Sequence, residues 1–174
     1  MKNGRREAIF KQWLAQHKNL MLKIVRAYAD LPSDQDDLFQ EILLQLWISI
    51  PNFQQQAKET TWIYRVALNT ALVWKRREIR KRKHQKHKIK LIEIELKKPT
   101  PNHSGPDQQV LDQLYGAIRK LSKIDGSLVL MCLDGLSYQD MADVLGISKN
   151  HVGVKLNRAK KELAKLLEGL IDDF

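Results

Sequence analysis

The stretch from Ser137 to Val152 constrains the fold more than any other part of the chain, because it reads as a sharp break between two helices. Ser137, with Asp140 three residues on, suits the opening turn of a first helix, where hydroxyl and carboxylate satisfy amides that lack an intrahelical partner. Gly146 tolerates the left-handed backbone that stops this helix and turns the chain. Ser148 then caps a second helix carrying Lys149, Asn150, His151, Lys155, Asn157 and Arg158. Ala142 is small enough for a close helix crossing, and Met141, Leu145, Ile147, Val152 and Leu156 supply the apolar set that locks the pair. An outer face of Lys, Asn, His and Arg fits a groove of duplex DNA. The plainer reading is a helical hairpin with a solvated face. Caps, turn glycine and basic face coincide here, which favours DNA.

Composition points the same way. A length of 174 residues accommodates one or two domains. The net charge of +10 favours a polyanionic partner. The single cysteine, Cys132, lies in an apolar run and is expected to be a small buried core residue; it builds neither a disulfide nor a zinc site. His17, His84, His87, His103 and His151 have no ligand spacing, so no metal and no cofactor is expected. No apolar run approaches a membrane span, and Met-Lys-Asn-Gly-Arg-Arg-Glu leads into no signal core. The expectation is a soluble, cytoplasmic protein with no membrane insertion.

Almost everything reads as helix, and the fold class expected is all-α, with two small helical domains joined by a linker. Prolines and glycines cluster at the breaks: Pro32, Pro51, then Pro99, Pro101, Gly105 and Pro106. The boundaries drawn are 1–87, a linker over 88–106, and 107–174, the last containing the helix-turn-helix. Helices are expected over 7–29, from Ser33 to before Pro51, from about Thr61 into the eighties, and over 107–120, 124–134, 138–145 and 149–169. The alternation Ile89, Leu91, Ile92, Ile94, Leu96 between charged residues fits either a strand or a helical extension.

Charge is segregated along the first part. From Ala27 to Ala57 there is no Lys or Arg, while Asp30, Asp34, Asp36, Asp37 and Glu41 are all present. From Lys75 to Lys90, ten Lys or Arg face the single acid Glu78, so this stretch alone contributes +9. Solubility alone is served by interspersed signs. This pattern offers an acidic helix to one partner and a basic helix to another. On the basic helix, Trp62, Ile63, Val66, Ala67, Thr70, Val73 and Trp74 are expected to form the core face. Arg65, Asn69 and Arg76 fall within about 40° of one another on a different side, and the stripe runs on into Arg80. Such a stripe can hold phosphates and touch base edges, whereas an internal ion pair for Arg65 and a solvated tail are the plainer alternative. The loop before it, Asn52-Phe53-Gln54-Gln55-Gln56, sets amides beside an aromatic ring, which is what a pocket for an unstacked base requires. From the loop alone, a surface connector with Phe53 tucked into the core is the stronger reading.

Together these residues resemble a small alternative sigma factor of bacterial RNA polymerase, of the extracytoplasmic-function type within the sigma-70 family. The matching motifs are Asp36-Asp37-Leu38-Phe39-Gln40-Glu41 with Leu46-Trp47, then Pro51-Asn52-Phe53, then Thr61 to Asn69. In the C-terminal part they are Gly135-Leu136-Ser137-Tyr138, Leu145-Gly146-Ile147-Ser148 and Val152 to Leu163. The resemblance implies a region-2-like domain over 1–87 and a region-4-like domain over 107–174. It assigns Asp37, Gln40, Glu41 and Gln45 to binding the core polymerase. Recognition and melting of the minus-ten promoter element would fall to Asn52 through Thr61, including Asn52, Phe53, Gln54 and Gln55, with Trp62, Arg65, Asn69, Arg76, Arg77 and Arg80. The minus-thirty-five element would be read by Ser148, Lys149, Asn150, His151, Lys155 and Arg158. Core polymerase and promoter DNA are the partners implied, with an anti-sigma factor a candidate third.

The chain departs from the family pattern at two points. Larger members carry adjacent tryptophans at the melting wedge, where Trp62 is here followed by Ile63, which implies weaker general melting and a stricter promoter requirement. Gly153 stands where the recognition helix usually has a basic residue, which shifts that phosphate contact toward Lys155. No nucleophile–base pair, phosphate-cradling glycine loop or metal cluster is legible, so the work expected is binding energy spent on opening DNA rather than catalysis. Two other readings remain: a dimeric helix-turn-helix regulator, and a helical protein that sequesters another factor. The first leaves the acidic helix and the glutamine loop without a role, and the second leaves the basic run merely solvating the chain.

Overall fold

A computed structural model describes residues 3–89 and 106–171. Among these residues the chain is all-helical. The elements are α1 (Asn3–Tyr28), α2 (Pro32–Ser49), α3 (Glu59–Ile89), α4 (Pro106–Lys120), α5 (Lys123–Leu133), α6 (Tyr138–Leu145) and α7 (Lys149–Ile171), with a 3-10 turn at Ile50–Asn52. The alternating segment beyond Ile89 lies outside the described residues.

Helices α1, α2 and α3 pack on one another to form the first unit. Leu38, Ile42 and Leu46, spaced one turn apart on α2, are fully buried. Each such aliphatic side chain contributes about 1.5–3 kcal/mol. From α1 the core receives Trp13, Met21, Ile24 and Val25. Helix α2 begins one residue before the expected Ser33: Leu31 occupies the cap without a side-chain bond, and Pro32 stands in the first turn, where its missing N–H costs nothing. The core face of α3 also differs from the expected arc. Ile63, Tyr64, Ala67, Leu68, Ala71 and Trp74 are buried, whereas Val73 is 48% exposed and Trp62 and Val66 only half-buried. Facing two helices at once rotates the buried face toward Tyr64 and Leu68, which leaves Val73 on the basic stripe.

In the second unit, α5 is the central helix, buried continuously from Asp125 to Met131. A Cβ on Gly126 would lie 3.3 Å from the Ile118 carbonyl oxygen, so a side chain there would push α4 and α5 apart. Cys132 is half-buried and packs against this core rather than lying within it. The two units touch along a seam, with α1 against α4 and α5, and α3 against α6.

Candidate nucleic-acid and polymerase interfaces

The break between α6 and α7 is built as its residues dictate. The Asp140 amide donates to Ser137 Oγ at 3.1 Å while the Ser137 amide donates to Asp140 Oδ2, completing a reciprocal cap. Gly146 adopts φ +67°, in the left-handed region that stops α6. The His151 amide donates to Ser148 Oγ at 3.3 Å and opens α7. Val152, Leu156 and Ala159 are buried, which turns the opposite side of α7 to solvent. Ser148, Lys149, Asn150, His151 and Arg158 are exposed there, and Lys155 is half-exposed. Arg158 reaches back to Asp125, 3.3 Å away, a carboxylate only 1% exposed whose other oxygen has no hydrogen-bond partner. At Gly153 a Cβ would make an ordinary van der Waals contact with the Tyr138 ring, 3.4 Å away, so packing does not exclude a side chain there.

Sequence reasoning passed over Val154, which is 72% exposed. At 100° per residue it falls between Asn150 and Arg158, at the centre of the polar face. An apolar side chain left in the middle of an otherwise polar helix face was the available signal.

The glutamine loop rests on an aromatic cluster. Phe53 is edge-on to Trp13 at 5.3 Å and tilted against Trp62 at 5.6 Å, and Trp62 Nε1 donates to Ser49 Oγ at 3.2 Å. Phe53 is therefore packed against the core. Asn52, Gln54, Gln55 and Gln56 are exposed above it. Gln55 holds φ +58°, unusual for a non-glycine, and Gln56 Nε2 donates to Gln54 Oε1 at 3.1 Å, which fixes the direction of these amides. A cavity of about 300 Å³ opens between the loop and α3, lined by Asn52, Phe53, Gln54, Trp62, Arg65 and Asp143.

Asn69, Arg76, Arg77 and Arg80 are exposed along α3. Arg65 is half-buried and donates to the backbone carbonyl of Asp143 in the second unit. The opposed charges of α2 and α3 partly meet: Arg77 contacts both carboxylate oxygens of Glu41 at 2.5 Å, and Arg82 contacts Asp34 at 2.7 Å. Asp37 and Gln40 remain exposed on α2, while Glu41 and Gln45 are half-buried. Leu44 and Ile48, 54% and 50% exposed, share that outward face, within about 100° of Asp37 and Gln40. The runs Leu43-Leu44 and Trp47-Ile48 signalled them, since neighbouring apolar residues on a helix cannot all face one core.

The polar groups at the seam titrate abnormally. The Ser137 hydroxyl, and then Lys58, hold the Asp140 carboxyl below the usual carboxylate range. Burial, and then the hydrogen bond to Asp134, push the Tyr64 phenol far up. Burial raises Tyr28 to about 12.

Two family models match this chain: sigma-70 region 2 over residues 13–82, and sigma-70 region 4 over residues 111–163. The chain belongs to the sigma-70 family, as a non-catalytic sigma factor of the extracytoplasmic-function type that directs RNA polymerase to promoters. It is similar to the RNA polymerase sigma factor CnrH of Cupriavidus metallidurans, 28% identical over 170 residues, covering 91% of this chain and 86% of that one. It is also similar to the ECF RNA polymerase sigma factor SigX of Bacillus subtilis, 26% identical over 146 residues and covering 79% and 75% of the two chains. Among solved structures, its fold is similar to that of the sigma factor RpoE in complex with the anti-sigma factor NepR from Bartonella quintana. The TM-score is 0.68 at 22% identity, over 91% of this chain and 96% of that one. No described helix is long and apolar enough to cross a membrane.

Proposed function

We propose a division of labour among three faces of this sigma factor. The outward face of α2, with Asp37, Gln40, Glu41 and Gln45, docks on the core polymerase, and Leu44 and Ile48 extend it with apolar area. The loop from Asn52 through Gln55 and the outer stripe of α3, with Trp62, Arg65, Asn69, Arg76, Arg77 and Arg80, recognise and open the minus-ten element. In this role Phe53 and Trp62 form the floor of the base pocket, and the exposed amides read the base. The α7 face of Ser148, Lys149, Asn150, His151, Lys155 and Arg158 reads the minus-thirty-five element, with Val154 against a thymine methyl. The domains run over 1–87 and 107–174, with 88–106 between them, and the protein acts in the cytoplasm. An anti-sigma factor is a further partner, as in the Bartonella complex.

The observation that carries this reading is that α2, α3 and α7 each bury one face in a core and turn polar residues of the assigned sets to solvent: Asp37 and Gln40; Asn69, Arg76, Arg77 and Arg80; and Ser148, Lys149, Asn150, His151 and Arg158. Size-exclusion chromatography with bacterial core polymerase tests it: the chain co-elutes in stoichiometric amount, and Asp37→Arg with Gln40→Ala abolishes co-elution while helical content is kept. These two substitutions leave the Arg77–Glu41 pair intact, so the loss reports on docking alone. Co-elution of the variant at wild-type level would remove the assignment of α2.

A further inference from the structure

We infer that Asp125, buried beneath the recognition helix, is a positioning residue that aims Arg158 at a guanine of the minus-thirty-five element. This rests on the assignment of the α7 face to that element. Among the described residues, Arg158 is the only basic residue of that face with an ion-pair partner: its Nη2 donates to Asp125 Oδ2 at 3.3 Å. The partner comes from a different helix. Asp125 stands in the first turn of α5, which packs against α7, and it is buried.

Stability alone is a poor reason for this pair. Asp125 Oδ2 accepts from Ser122 Oγ at 2.7 Å as well as from Arg158, while Oδ1 has no hydrogen-bond partner. A buried carboxylate oxygen left bare is costly, and an ion pair with one exposed member returns little. An apolar residue at such a site serves the fold at least as well. The carboxylate gains a use when Arg158 has to point in one direction.

Arginine suits that arrangement. Its guanidinium is a planar fork of N–H donors, so one edge rests on a carboxylate while another meets the O6 and N7 acceptors of guanine. The bare Oδ1 is the seat for a second N–H, and a small turn of the guanidinium onto both oxygens makes the pair bidentate. On α7, Arg158 falls about 40° from Val154 and about 60° from Lys155. Its side chain is 68% exposed, so the edge away from Asp125 stays open to DNA. A guanidinium fixed before DNA arrives loses less rotamer freedom on binding, and it is held off the phosphates that a mobile arginine also satisfies. Asp125 thus turns a charge into a base reader without touching DNA itself.

The test reconstitutes holoenzyme from bacterial core polymerase and the full chain, and selects bound duplexes from a cognate promoter randomised over its minus-thirty-five element. Wild type is expected to enrich guanine about tenfold or more at one position. Arg158→Ala removes that preference. Asp125→Asn, which keeps the shape and drops the charge, is expected to cut it to about threefold or less at the same position and to leave the other positions as in wild type. Added to Arg158→Ala, it changes nothing further. Asp125→Ser is expected to act alike, and it stands in if Asp125→Asn loses helical content. A purely structural Asp125 would weaken selection at every position alike. That outcome, an undiminished guanine preference in both Asp125 variants, or an Arg158-dependent position that selects another base overturns the inference. If Arg158→Ala and Lys149→Ala/Lys155→Ala both select the wild-type element, the assignment of α7 falls and the inference with it. If the lysine variant alters selection while the Asp125 variants do not, α7 keeps its assignment and only the role of Asp125 is lost.

Discussion

The two surfaces proposed to read DNA are in opposite states. On α7, Lys149, Asn150, His151 and Arg158 face solvent. On α3 and its loop, Lys58, Thr61 and Arg65 are already engaged by α6. The proposed role of the open helix face is to read closed duplex, which asks for no reshaping of that face. The proposed role of the covered surface is to hold unstacked bases, which calls for amides, arginines and a cavity. Those same groups make it adhesive to any nearby acceptor, including the chain's own carboxylates.

The largest effect that would break this contrast is at Arg65 and Asn69. Arg65→Ala with Asn69→Ala is expected to cut run-off transcription from a cognate promoter at least about 100-fold, each lost contact costing about 1–3 kcal/mol, with core binding unchanged. Loss of core binding instead would mean that this face touches polymerase. Next, Lys149→Ala with Lys155→Ala should weaken promoter use roughly tenfold and lower the salt slope of DNA binding by about 2, again without affecting core binding. Since α7 is already open, these two substitutions should leave the scattering of the free chain unchanged.

Smaller effects sharpen the contrast. Arg158→Ala leaves the buried Asp125 with only the Ser122 hydroxyl as a side-chain partner, 2.7 Å away. Arg158 is 68% exposed at its side chain, so the loss expected is about 1 kcal/mol in chemical denaturation of the chain, less than a fully buried pair would show. Promoter binding should fall in the same variant, and a stability change without a binding change would make Arg158 purely structural. The smallest effect concerns acid. The Asp140 carboxyl is depressed by Ser137 and Lys58, so its stabilisation is present above the ordinary carboxylate range and is lost as pH falls through the depressed value. Acidification should loosen α6 and its contact with Lys58, read as a rise in domain separation, and Asp140→Asn should remove that pH dependence.

Much of this was legible in local sequence. The Ser137–Asp140 cap, the left-handed Gly146 and the Ser148 cap follow from short-range chemistry, and each stands in the structure as its residue type requires. The core face of α3 was less legible: Val73 looks like a core residue by type, yet it lies on the basic stripe, because burial there depends on where α1 and α2 stand. The opposed charges of α2 and α3 pointed outward to two partners, but two of the acids pair with arginines of the neighbouring helix. Leu44, Ile48 and Val154 were apolar in the sequence without being assigned, since periodicity alone does not say which of several adjacent apolar residues the core excludes.

The sequence by itself determined the helices, the break between α6 and α7, the family and the chemical character of each face, because caps, turns and charge patterns act over a few residues. Only the tertiary structure decided which of those faces are free. Tyr64 and Asp134, or Arg65 and Asp143, are more than sixty residues apart in the chain, and no local pattern pairs them. Contacts at that separation are set by how whole helices pack, and here that packing covers the start of α3 with α6 and leaves the outer face of α7 open.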